Sequence, residues 1–185
     1  MKSVPLLLTI IRAALAPIMI GLALFYPSKV AFGFCLIVAF FSDVFDGIIA
    51  RRLGVATPNL RRLDSAADTL FYLSAVFSAW YLYPQAILSR MTPLVVLVAL
   101  EIGRYGVDWL KFGREASYHM WSSKLWGVAL FVGFFSLLAL GSANVTLSLA
   151  IYLGIAADLE GLAISAVLPH WRADVPTVVH ALRMA

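Results

Sequence analysis

Six apolar stretches follow one another along a chain of 185 residues, at approximately 5–26, 30–50, 64–83, 92–111, 120–141 and 145–168. Each is close to the roughly 20 residues that a helix needs to cross a bilayer. Turn-forming residues separate them: Tyr26-Pro27-Ser28, Tyr83-Pro84, Gly141-Ser142-Ala143-Asn144 and Pro169. Hydrophobic residues make up 62% of the chain and charged residues 13%, against about 25% charged in an ordinary soluble domain. With a mean hydropathy of +0.92, this is more apolar surface than one soluble core can use. The expected fold is an all-α integral membrane protein, one domain over 1–185 with six transmembrane helices. The first stretch reads as a span rather than a cleaved signal, because Arg12 interrupts it and no small-residue cleavage site follows. The tail from Pro176 to Ala185 is too short to span and is expected on the membrane surface. The single Cys35 lies inside an apolar run, which excludes a disulfide framework and predicts a buried, inert thiol.

The distribution of Lys and Arg orients the spans. With the N-terminus inside, one face collects Lys2, Arg51, Arg52, Arg61, Arg62, Lys111, Arg114, Lys124, Arg172 and Arg183, and the other receives Lys29 and Arg90. Arg12 and Arg104 fall within spans. Basic residues concentrate on the cytoplasmic side of membrane proteins, so the net charge of +4 reflects topology and not a nucleic-acid surface. Both termini, and the segment joining spans two and three, are expected in the cytoplasm.

That segment reads SDVFDGIIARRLGVATPNLRRLDSAAD and holds Asp43, Asp46, Asp64 and Asp68, four of the ten acidic residues. Asp43, Asp46, Gly47 and Ala50 have helical offsets of i, i+3, i+4 and i+7, so they share one face. Asp64 and Asp68, at i and i+4, share a face of the next helix. The Thr57-Pro58-Asn59 stretch between them reads as a turn that lets the helices return antiparallel. Four carboxylates in one pocket repel one another, and an acid at the centre of a span costs about 2.5–3.5 kcal/mol on insertion scales. A divalent cation relieves both problems. Clustered carboxylates suit hard cations, and Mg²⁺ commonly bridges protein carboxylates to substrate phosphates. Two ions about 3.5–4 Å apart would clamp a phosphoryl group. The small side chains of Gly47 and Ala50 leave a ligand room to approach, although small residues also serve helix packing. Arg51, Arg52, Arg61 and Arg62 are numerous enough to pair with the acids as an interfacial loop; facial alignment on two successive helices favours the pocket.

Written out, the stretch is D-x2-D-G-x2-A-R followed by twelve residues and D-x3-D. It closely resembles the signature of the CDP-alcohol phosphotransferases, membrane enzymes of phospholipid synthesis, in which the pattern is D-x2-D-G-x2-A-R-x8-G-x3-D-x3-D. The N-terminal PLLLTIIR partly echoes the family's P-N-x-L-T-x-x-R through Pro5, Leu8, Thr9 and Arg12. The resemblance implies a six-span bundle with the motif across spans two and three. It implies Asp43, Asp46 and Asp64 as ligands of Mg²⁺ or Mn²⁺, and Asp68 as general base that also touches the second ion. Gly47, Ala50 and Arg51 would line the CDP site. The reaction implied is attack of an acceptor hydroxyl on the lipid-bearing phosphorus of CDP-diacylglycerol or another CDP-alcohol, with release of CMP. Two positions depart from the pattern: Leu60 stands where the family has its second glycine, which helps make room for cytidine, and Leu6 stands where it has asparagine. Family members are commonly homodimers; the sequence itself neither requires nor excludes one.

A second polar cluster, from Glu101 to Gly127, contains Arg104, Lys111, Arg114 and Lys124. Lys111 reads as a residue facing anionic headgroups. Arg104 and Lys124 are the candidates for an anionic acceptor such as glycerol 3-phosphate or inositol phosphate. Lys124 also resembles the lysine that the family's glycerophosphate and inositol phosphate enzymes place there. His119 reads as an interfacial histidine, and the tryptophans as an interfacial belt. Asp158 and Glu160, inside the sixth stretch, are functional candidates by depth and are expected to contact the acceptor or pair with Arg12 or Arg104. Two other function classes compete. A transporter would use intramembrane acids for cations or protons, yet it usually places them at the midplane between repeats, and no repeat is evident here. An inactive scaffold descended from the enzymes would be consistent with Leu60.

Overall fold

The computed structural model describes residues 4–54, 57–142 and 145–184, without the side chains of Arg51, Pro58, Asn59 and Arg61. The helices are α1 (Val4–Phe25), α2 (Lys29–Arg52), α3 (Pro58–Leu82), α4 (Pro84–Leu88), α5 (Met91–Phe112), α6 (Trp121–Phe134), α7 (Val145–Val167) and α8 (Val178–Met184). No strand occurs among the described residues; Ser117 and Ala173 form an isolated bridge. A π-type turn, Phe135–Ala139, continues α6, with the Leu140 N–H donating to the Phe135 carbonyl five residues back at 3.2 Å.

The helix ends follow local chemistry. Thr57 caps α3 from an extended backbone, its hydroxyl accepting from the Leu60 N–H at 3.3 Å, and Pro58 takes the first-turn position where its missing N–H costs nothing. The stretch read from sequence as a turn is therefore the start of α3, which begins six residues before Asp64. Gly113 ends α5 with φ 66°, a left-handed conformation that glycine adopts without strain. Neither the short α4 nor the π-turn was legible in the hydrophobic pattern.

Among the described residues, four helices are long and apolar enough to cross a membrane: Val4–Phe25, Lys29–Ala50, Trp121–Ala139 and Val145–Val167. The other two expected spans, α3 and α5, have 25 and 22 residues but carry charges along their length. The six-span count is thus not confirmed, and length with apolarity supports four. Large side chains such as Leu7, Phe34, Leu73, Val95 and Tyr152 project outward, as lipid-facing helices require.

Contacts divide the chain into two compact units. The first comprises residues 1–87 and 134–142. In it α1 packs on both α2 and α3, over a core that includes Met19, Phe32, Cys35, Leu36 and Phe71. Cys35 is free and buried, as expected. The Ser78 hydroxyl ties α3 to α1 by donating to the Met19 carbonyl at 3.2 Å.

In the second unit, residues 88–133 and 143–185, α5 packs on α7. The charges of α5 at 101, 104, 108 and 111 recur on one helical face, and α7 answers them. Buried Asp108 accepts from the Ser165 hydroxyl at 2.5 Å, and Lys111 donates to the Ser165 and Ala166 carbonyls. The loop after α5 pairs with the tail: the Asp174 N–H donates to the Ser117 carbonyl at 2.9 Å, and His119 meets Asp174 at 2.8 Å. The chain then returns as α8 against α7, with Ala181 fully buried and Glu160 accepting from the Val178 N–H at 3.2 Å.

Close packing in this unit depends on glycine at Gly154 in particular. A Cβ added at Gly154 would meet the Trp126 ring at 2.7 Å and Leu97 at 2.8 Å, whereas one at Gly127 would meet nothing within 4 Å. Gly154→Ala is expected to destabilise the chain by about 1–3 kcal/mol through overpacking. Gly127→Ala is expected to be neutral or to gain up to about 1 kcal/mol from helix propensity. Thermal unfolding of the two variants in detergent micelles, followed by tryptophan fluorescence, tests the contrast.

Candidate active site

The site of the first unit starts from α1. Arg12 lies in the middle of an apolar helix and is 1% exposed; an arginine keeps its charge even when buried, so its neighbours must supply acceptors. They are the four aspartates of the motif. Nη1 of Arg12 donates to Asp43 Oδ1 at 2.7 Å and also to Asp68 Oδ1; Nη2 donates to Asp64 Oδ1 at 2.8 Å and also to Asp46 Oδ2. The helical offsets predicted for α2 and α3 do bring the four carboxylates together, and α1 contributes the cation between them.

The cluster is graded in depth. The Asp46 side chain, at 5% exposure, is its floor with Arg12, while Asp43, Asp64 and Asp68 are 47%, 31% and 33% exposed at its mouth. One oxygen from each of these three lies within 4.8 Å of the others. An all-oxygen, carboxylate donor set open to solvent on one side fits a hard divalent cation. With four carboxylates against one guanidinium, the cluster carries three negative charges in excess when ionised, which a divalent cation would reduce.

Gly47 is half-buried, and Ala50 is buried at 7% exposure on the helical face of Asp43 and Asp46. The side chain of Arg51 lies outside the described residues. Leu60 is half-buried in the first turn of α3. It stands four residues before Asp64 and eight before Asp68, hence on the same face as both. A leucine there takes up space beside the carboxylates where the motif's glycine would leave a gap.

In the second unit, the two candidate acceptor residues differ. Arg104 is engaged by Glu101 Oε1 at 2.9 Å and Asp158 Oδ1 at 3.1 Å, and its guanidinium lies 5.4 Å from the Tyr105 ring centroid. Of the partners expected for Asp158, Arg104 is the one found. Glu160 accepts from the Val178 N–H of α8, and no pairing with Arg12 or Arg104 is seen for it among the described residues. Lys124 is exposed, with Nζ 4.4 Å from the Trp121 ring centroid and no ion pair among the described residues.

Arg12 enters the sequence reading only within PLLLTIIR and as an expected partner of Asp158 or Glu160, and its place among the four aspartates was not foreseen. The signal was present, since an ionisable residue within a span is a functional candidate by default. What the sequence could not supply was its partner, because the four acids lie 31 to 56 residues away.

Searches of curated proteins and of solved structures give no match. The family model for CDP-alcohol phosphatidyltransferase matches residues 2–166, nearly the whole chain. This span includes all four aspartates and Arg12, and the family acts by phosphatidyl transfer from a CDP-alcohol in a lipid context. The chain belongs to the CDP-alcohol phosphatidyltransferase family.

Proposed function

We propose that the chain is a six-span phospholipid-synthesis enzyme that moves a phosphatidyl group from CDP-diacylglycerol to a small hydroxyl-bearing acceptor and releases CMP. The observation that carries this reading is the convergence of Asp43, Asp46, Asp64 and Asp68 from two helices into one cluster. The asymmetry of Lys and Arg supports a cytoplasmic site, where a lipid-borne diphosphate and a soluble acceptor can meet.

In this scheme Asp43, Asp46 and Asp64 would hold Mg²⁺ or Mn²⁺, and Asp68 would also serve as a ligand of a second ion. When bound, these cations supply positive charge against the donor's diphosphate. Asp68 accepts the proton of the acceptor hydroxyl. The acceptor oxygen then forms a bond to the lipid-bearing phosphorus as that phosphorus loses its bond to the bridging oxygen, which leaves with CMP. A base within hydrogen-bond reach of its nucleophile typically contributes 10²–10⁴-fold. Gly47, Ala50 and Arg51 line the nucleotide. Lys124 and Arg104 are the candidate residues for the phosphate of an acceptor such as glycerol 3-phosphate or inositol phosphate, and Lys124 is the stronger of the two, because the charge of Arg104 is already matched by two carboxylates. Arg12 balances part of the carboxylate charge whenever divalent cations are scarce, which keeps the two acidic helices together.

The direct test is CMP release by purified protein in mixed micelles with CDP-diacylglycerol, Mg²⁺ or Mn²⁺ and a panel of acceptors. Absence of CMP with every acceptor would sink the enzymatic reading. Asp68→Asn is expected to lower transfer by about 10²–10⁴-fold while metal-dependent donor binding persists; full activity in that variant would remove Asp68 from the role of base. Leu60→Gly is expected to tighten donor binding, read as a lower KM for CDP-diacylglycerol, and an unchanged KM would mean that the nucleotide avoids this face of α3. Arg12→Gln strands four carboxylates, so in EDTA it is expected to cost about 3–5 kcal/mol of stability, with most of the loss restored by Mg²⁺ or Mn²⁺. Thermal unfolding with and without the metal measures both effects, and a variant as stable as the parent in EDTA would refute the counter-ion role.

A further inference from the structure

Residues 168–176, between α7 and α8, follow a course that the transfer scheme does not use. They run alongside the loop between α5 and α6, residues 113–120, and in the same direction. Trp171 stacks on Arg114, whose guanidinium lies 4.9 Å from the ring centroid, and its Nε1–H donates to the Glu115 carbonyl at 3.0 Å. Ala173 bridges Ser117 in parallel register, and the Asp174 N–H donates to the Ser117 carbonyl at 2.9 Å. Asp174 Oδ1 meets His119 Nδ1 at 2.8 Å. The Pro176 carbonyl then accepts from the Trp121 N–H at 3.2 Å. Beneath these contacts, Tyr118 and Met120 of the loop share one buried apolar cluster with Leu168 and Val175.

This pairing decides where α6 begins. The first N–H groups of a helix need acceptors from outside it, commonly a Ser, Thr, Asp or Asn side chain just before the first turn. Met120 stands there and offers none, so Pro176 supplies the acceptor for Trp121. The first turn closes with the Lys124 N–H donating to the Met120 carbonyl at 3.3 Å. On that turn Lys124 Nζ lies 4.4 Å from the Trp121 ring centroid, within the range of a cation–π contact. The ammonium therefore rests on a residue whose backbone the tail holds. Two backbones are bent to make this fit. Among the described residues, His119 and Asp174 are the non-glycine positions with a left-handed backbone, at φ 53° and 58°. Side chains adopt that conformation uncommonly, His and Asp more readily than most, and it persists where the surroundings enforce it. Here the two residues face each other as an ion pair.

We propose that Trp171–Pro176 is a strap that positions Lys124 for the phosphate of the acceptor, acting through Trp121 and without touching substrate. The inference rests on the reading of Lys124 given above and extends it: His119, Asp174 and Trp171 are positioning residues. The aspartates of α2 and α3 belong to the other unit, so a loosened strap is expected to weaken the acceptor and spare the donor.

The experiment uses the full chain in lipid nanodiscs and two readouts. Hydrogen exchange over residues 117–124 reports the strap. Thermal unfolding with no CDP-alcohol present, titrated with glycerol 3-phosphate and with inositol phosphate in turn, reports the acceptor. His119→Asp sets two carboxylates against each other, and adding Asp174→His restores an opposite pair with side chains that tolerate the left-handed backbone at both positions. Trp171→Ala loosens the strap by a second route. Each single substitution is expected to speed exchange and to raise the half-saturating acceptor concentration about threefold to fivefold, the scale of an exposed ion pair. The double variant is expected to return both readouts toward the parent. In transfer assays the KM for the acceptor should rise while kcat and the KM for CDP-diacylglycerol keep the parent's values; a general structural defect would lower kcat as well. Faster exchange with unchanged half-saturation would overturn the proposal, as would exchange that neither substitution alters, or a double variant no better than His119→Asp. A parent that binds neither phosphate yet releases CMP would remove the strap and leave the transfer reading standing. Strap-dependent binding without CMP release would do the reverse.

Discussion

Arg12 and the four aspartates it binds set the conditions for everything else in the first unit. Once a guanidinium is placed midway along an apolar helix, burial without acceptors costs several kcal/mol, so the helices beside α1 must bring carboxylates to its level. Conversely, the carboxylates of α2 and α3 repel one another and require a cation. Each group is unfavourable alone and tolerable together, which is why α1 packs against both acidic helices rather than one. The packing below follows from the same requirement. Met19 and Ala23 continue the buried face of α1, and Ala75 and Ala79 provide small surfaces on α3, so backbones approach closely where lipid gives no hydrophobic drive for association.

The second unit meets the same problem with a different chemistry. α5 would be a poor span by composition, yet its charged residues fall on one face and are matched within the unit by Asp158, Ser165 and the C-terminal carbonyls of α7. Charge on that helix is turned toward protein, and side chains such as Val95, Val98 and Ile102 are left to face outward. A hydropathy sum treats α5 as polar because it averages over the two faces; the helix is amphipathic in the sense suited to a membrane bundle. The same reasoning covers α3, whose polar residues at 64 and 68 belong to the carboxylate cluster.

Much of this was legible in the chain because it depends on spacing within single helices. The offsets among Asp43, Asp46, Asp64 and Asp68 were enough to place four carboxylates on two faces, and the long helices lie within a few residues of the apolar stretches, except at the start of α3. What was not legible depends on pairing across long separations. Nothing near Arg12 in sequence announces four partners more than 30 residues away, whereas the pairing of Asp158 with Arg104 was among the expected alternatives because both are charged within spans. Thr57-Pro58-Asn59 misled for a local reason: Pro and Asn mark turns, but Pro also favours the first turn of a helix, and a capping threonine decides between the two.

That cap has a consequence for how the site tolerates change. Thr57 and Pro58 fix where α3 begins, and Asp64 and Asp68 stand about two and three turns beyond. Each residue gained or lost between the cap and Asp68 would rotate the downstream carboxylates by about 100° around the helix axis, out of reach of Arg12. Side chains on the outer face of that segment are free to vary, but its length is not. The site is thus protected by a count of residues as much as by their chemistry, and insertions and deletions between Thr57 and Asp68 should be more damaging to it than most substitutions in the same segment.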